Sequence, residues 1–188
     1  MQLKNSPERY GTVSLLLHWG VALSVFAMFG VGLWMVGLNY YHPWRQVVPD
    51  LHKSIGITLF VIMLLRVLWR FISPPPPPSP GHGWLIRTAA KLGHLALYLL
   101  LFAVMISGYL ISTAEGDGIV VFGLLTVPAL FTISGKAELA GNLHLYLAIT
   151  LVVVATLHAL AALKHHFIDR DATLVRMLGI KPKHSLNP

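Results

Sequence analysis

Residues 139–166 read LAGNLHLYLAITLVVVATLHALAALKHH. The run is apolar and long enough to cross a bilayer as a helix, and it ends in the cationic Lys164 and in His165 and His166. Inside it lie His144 and His158. Fourteen residues of α-helix rise about 21 Å through almost four turns, so the two imidazoles leave nearly the same face at two depths. One helix can therefore contribute to two stacked sites.

The composition around this segment is that of a membrane protein. Of 188 residues, 55% are hydrophobic and only 11% charged, with a mean hydropathy of +0.68, more apolar than a water-exposed surface permits. The net charge of +7 does not read as nucleic-acid binding, because the lysines and arginines fall between apolar runs and form no stripe interleaved with aromatics. The absence of cysteine excludes thiolate-held iron–sulfur clusters, cysteine zinc sites, disulfides and covalently attached c-type haem. Ten histidines remain as ligands.

Three further spans precede the quoted one. Residues 12–38 form an uncharged run of 27 residues with His18 near its start, too long for a cleaved signal segment. Residues 51–72 begin with His52 and end with Arg66 and Arg70, and an unbroken proline run at 74–78 must stop that helix. The stiff connector continues to Gly83. The third span, 92–113, starts LGH with His94, and the fourth occupies about 139–165. The expected architecture is a single all-α domain over residues 1–188, a four-helix transmembrane bundle. The loop at 114–138 contains VVFGLLTVPALF, too short to span and broken by Pro128; it is expected to lie on the membrane surface or cover the bundle end. A basic tail follows, partly helical through ATLVRML.

Eleven of the fourteen lysines and arginines lie in the N-terminal segment, around the proline connector and in the tail; only Arg45, Lys53 and Lys136 lie in the other two loops. The positive-inside rule then puts both termini and the connector in the cytoplasm. On this orientation His52 and His144 share the outer level, and His158 meets either His18 or His94 at the inner level. Two imidazoles at one depth fill both axial positions of a haem iron and leave none open, which suits electron transfer. Ionisable groups at membrane depth are costly and usually functional. A histidine-based metal or proton transporter is the alternative of a different class. His42, His82, His165, His166 and His184, in loops and tail, read as interfacial residues. Gly56 and Gly141 stand one turn or less from His52 and His144, where a missing side chain would admit a flat ring, and Arg66 and Arg70 could meet haem carboxylates.

LLLHWGVAL around His18, LHKSIGI and RVLWR from His52 onward, LGHLALYLLLFAVMISGYL around His94, and HLYLAITLVVVATLHALAALKHHFIDRDATLVRM from His144 together resemble the bacterial cytochrome b561 family of small di-haem membrane proteins. They are also similar to the cytochrome b subunits that anchor membrane formate dehydrogenases and nickel–iron hydrogenases. The resemblance implies two haem b groups in a bacterial inner-membrane protein of electron transport, with axial pairs His18 with His158 and His52 with His144. It implies exchange of electrons with membrane quinone, ubiquinone in the characterised case, and for one family activity the oxidation of superoxide outside; the anchor-subunit role for a partner dehydrogenase or periplasmic redox protein is the alternative. A small anion such as superoxide would be drawn by cations at the outer face, where Arg45 and Lys53 are the candidates. His94 is the candidate for the quinone site.

Overall fold

The computed structural model describes residues 2–78 and 83–180. His82, His184, Lys181, Lys183 and residues 79–81 of the connector lie outside the described residues. Four long helices make up the bundle: α1 (Thr12–Val36), α2 (Val47–Ile72), α3 (Trp84–Thr113) and α4 (Ala137–Phe167). Each is long and apolar enough to cross a membrane. A two-stranded hairpin, β1 (Ile119–Val121) and β2 (Leu125–Val127), lies between α3 and α4, and a short helix α5 (Thr173–Met177) follows α4.

α1 stops two residues short of its apolar run, at the Gly37 cap, whereas α2, α3 and α4 extend beyond theirs, because hydrogen bonding continues where hydropathy drops. α2 starts ahead of its apolar run, with Pro49 in its first turn, where no intrahelical N–H is needed. α3 starts at Trp84, well before Leu92, carrying the polar turn with Arg87 and Lys91. His165 and His166 belong to the last turn of α4 and not to the tail.

Helices α3 and α4 pack most extensively on one another, and α1 packs on α2. The protein interior is small and centres on Met63, Thr113, Ser54, Ser107, Val21 and Leu151. Large apolar side chains such as Leu16, Leu23, Leu99 and Leu157 point outward. That inversion is expected for a bundle in lipid, where hydrocarbon replaces the missing neighbours and small residues allow close helix approach.

The loop after α3 takes the covering role. β1 and β2 pair antiparallel, Val120 opposite Thr126, and the turn uses Phe122 and Gly123, both at positive φ, as a tight hairpin requires. Ser54 on α2 fastens it: Oγ accepts the Phe122 N–H at 3.0 Å and donates to the Asp50 carbonyl at 2.8 Å. Tyr109 on α3 donates to the Pro128 carbonyl at 2.8 Å and accepts the Leu130 N–H at 2.7 Å.

The opposite end is closed by a clasp of three segments. The buried guanidinium of Arg176 on α5 donates to the carbonyls of Pro77 (2.9 Å) and Pro7 (3.0 Å). Asn5 bonds Ser73 and the Gly11 N–H, Trp69 Nε1 donates to Ser14 Oγ at 3.1 Å, and Trp19 Nε1 donates to the Met177 carbonyl at 2.8 Å. The bundle thus has a hairpin end and a terminal end.

Candidate functional site

α2 runs from the hairpin end with His52 in its second turn, and α4 starts from the same end with His144. Their rings face one another with centroids 6.4 Å apart and planes at 76°. Toward the terminal end, His18 in the second turn of α1 faces His158 of α4 at 6.5 Å and 64°. His94, in the third turn of α3, lies 5.2 Å from His158.

These separations bear on what could sit between the rings. Two imidazoles on opposite sides of one metal, each with a metal–nitrogen bond of about 2.0 Å, have centres about 6 Å apart. The pairs at 6.4 and 6.5 Å fit that spacing, and the His94–His158 contact is too short for it. Among the described residues no group of three or more His, Asp or Glu could hold a bare metal ion. The arrangement is two facing imidazole pairs at two depths, with His94 beside the second.

The surroundings hold the rings in place. His144 Nδ1 lies 2.9 Å from the Val104 carbonyl oxygen and 3.1 Å from Ser107 Oγ. The carbonyl can only accept, so Nδ1 carries the proton and Nε2 keeps its lone pair for a ligand. Among the described residues the buried Nδ1 of His52 has no hydrogen-bond partner. His18 Nδ1 lies 2.9 Å from Arg66 Nη2, whose guanidinium also sits over Tyr98, 5.6 Å from the ring centre. A cavity of about 340 Å³ between α1 and α2 reaches His52 and is lined by apolar groups including Met28, Val31 and Trp34.

Lys53 is ion-paired with Asp50 at 2.8 Å, and Arg45 donates to the Leu38 carbonyl beyond the end of α1; both are at the hairpin end. His42 Nδ1 accepts the Trp44 N–H at 3.2 Å, and His165 Nδ1 contacts Asp169 at 2.7 Å. Gly56 and Gly141 face open space. The glycine pressed against a histidine is Gly108, where an added Cβ would stand 3.0 Å from His144 Cε1. Sequence reasoning passed over Gly108 and Ser107, although the adjacent Ser-Gly pair in an otherwise bulky apolar span was the signal available.

The model of the prokaryotic cytochrome b561 family matches residues 9–179. The chain is 56% identical over 180 residues to cytochrome b561 homolog 2 of Escherichia coli K12, covering 95% of this chain and 96% of the relative. It is 34% identical over 175 residues to the Yersinia pestis protein named "Probable superoxide oxidase CybB", covering 93% and 98%. It is 29% identical to cytochrome b562 of Cereibacter sphaeroides, covering 90% and 94%. With the family model matched across all four spans, this chain belongs to the prokaryotic cytochrome b561 family, the b-type electron-transfer cytochromes of the bacterial inner membrane.

Proposed function

We propose that the chain is a di-haem oxidoreductase that passes electrons from a one-electron donor outside the cytoplasm to membrane quinone, with superoxide as the donor and ubiquinone as the acceptor. The observation that carries this reading is the pair of imidazole couples at 6.4 and 6.5 Å, set about 21 Å apart along α4. His18 with His158 and His52 with His144 would each hold a haem b, and a haem so held supplies a one-electron iron couple with no open coordination position. The distribution of lysine and arginine supports a cytoplasmic terminal end, and thereby an outer hairpin end.

The balance of the reaction is simple. Two superoxide anions each lose one electron and leave as dioxygen, and one quinone gains two electrons and two protons. At the outer end Lys53 would meet the anion, competing with its present partner Asp50; Arg45 adds a second cation. At the inner end the exposed His94, in ring contact with His158, would meet the quinone. The name of the Yersinia relative supports superoxide as donor.

The test is purified protein in vesicles containing ubiquinone, exposed to an enzymatic superoxide source while haem absorption and quinol are recorded. The expected result is haem reduction, with one quinol formed for each two superoxide anions consumed. Haems that dithionite reduces but superoxide does not would overturn the donor assignment and point to a protein donor.

A further inference from the structure

The two histidine pairs sit in opposite electrostatic settings. At the hairpin end, His144 Nδ1 faces a carbonyl and a hydroxyl oxygen, and the cation nearest in sequence, Lys53, is held by Asp50. At the terminal end, His18 Nδ1 faces the guanidinium of Arg66 at 2.9 Å. Arg66 is also within electrostatic reach of His94 and His158, and Arg70 of His94. Among the described residues no carboxylate is ion-paired with either arginine: Asp169 is taken by Lys164 and His165, and Asp171 faces His165 and the Thr173 N–H. Arg66 points into the bundle beside a candidate ligand and over Tyr98, unlike a residue that merely snorkels to the surface.

We propose that Arg66 is a positioning residue that makes the His18–His158 haem the higher-potential member of the pair, and so fixes the direction of electron flow from the hairpin end to the terminal end. The inference rests on the di-haem reading. Oxidised iron carries one more positive charge than reduced iron, so a nearby cation in a low-dielectric bundle favours the reduced form. A ligand whose Nδ1–H donates to a carbonyl is more electron-rich and favours the oxidised form. The two settings therefore push the two potentials apart in one direction.

The charge carries the effect, not the hydrogen bond. A guanidinium only donates, so in the contact described His18 Nδ1 accepts and a neutral ring holds its proton on Nε2. A ring that offers Nε2 to iron holds that proton on Nδ1 and gives up the contact, but Arg66 remains fixed to α2 beside the site. The carboxylates of a haem b are the anions that could then meet it. Removing Arg66 would leave them uncompensated, which shifts the potential in the same direction.

The test is an equilibrium redox titration of the purified full-length protein, wild type against Arg66→Met and Arg66→Lys, with haem content measured on each. Two midpoints are expected in the wild type. Arg66→Met lowers the upper one, changing the reduced-to-oxidised ratio at a given potential by about tenfold or more, about 59 mV for one electron, and leaves the lower one in place; Arg66→Lys restores most of the shift. If Arg66→Met does not load both haems, Arg66→Gln makes the same comparison. Two bound haems with an upper midpoint unmoved or raised, or with the lower midpoint shifted instead, would overturn the assignment. A wild-type chain without haem would instead remove the di-haem reading beneath it.

Discussion

Gly108 on α3 lies directly against the His144 ring on α4, so that an added Cβ would stand 3.0 Å from Cε1 and 3.3 Å from Nδ1. Glycine at 108 is what lets α3 approach closely enough for the Val104 carbonyl to reach Nδ1. Gly108→Ala must push the ring by a few tenths of an ångström, and Gly108→Leu must displace it. The expected outcome is weakened retention of one haem of two in the alanine variant and its loss in the leucine variant, read by pyridine haemochrome against protein concentration. Full retention in Gly108→Leu would show that His144 is not held by this contact.

Ser107 and the Val104 carbonyl share the same ring nitrogen. Ser107→Ala removes one partner and leaves the carbonyl, so the tautomer stays fixed. Both haems should remain bound, with one midpoint potential displaced and the other still. An unchanged pair of midpoints would assign Ser107 to helix packing alone, where its hydroxyl also donates to the Val104 carbonyl.

Arg176 joins α5 to the N-terminal segment and the proline connector through two carbonyls, and its Nε has no partner among the described residues. Arg176→Met should cost about 2–3 kcal/mol, the scale of hydrogen bonds to a charged donor. A lower melting temperature in detergent and faster proteolysis between residues 2 and 11 are expected, with haem content retained. Unchanged melting and proteolysis would show that the clasp contributes nothing to stability.

The Asp169 carboxyl is held below the usual carboxylate range, first by hydrogen bonds from Lys164 at 2.7 and 2.8 Å and then by His165. A depressed folded value means that this support for the end of α4 is present above about pH 4 and is lost as pH falls through the folded value. Amide exchange over residues 164–171, corrected for intrinsic rate, should speed up on acidification, and Asp169→Asn should show the faster exchange already at neutral pH. Identical protection in parent and variant would exclude the role.

The four spans were legible in the sequence because continuous apolar runs have one structural meaning in lipid. The depth pairing was legible because the 14-residue spacing of His144 and His158 and the start of α2 at His52 constrain levels along helix axes. Depth alone could not separate His18 from His94 as the partner facing His158, since that depends on how α1 and α3 are rotated. The structure brings both rings to His158, His18 at 6.5 Å and His94 at 5.2 Å. The strands at 119–127 were hidden because a three-residue strand has no periodicity to read, and because Ser54, which fastens the hairpin, is distant in the chain. Arg66 reads in sequence as a topology marker, and only the approach of α1 to α2 brings it to His18.

The most direct measurement is the haem-to-protein ratio of the wild type and of five single alanine variants, at His18, His52, His94, His144 and His158. Two haem b per chain are expected in the wild type, one or fewer after loss of His18, His158, His52 or His144, and two after loss of His94. A wild-type ratio of one or zero, or loss of a haem in His94→Ala with retention in His18→Ala, would contradict this assignment.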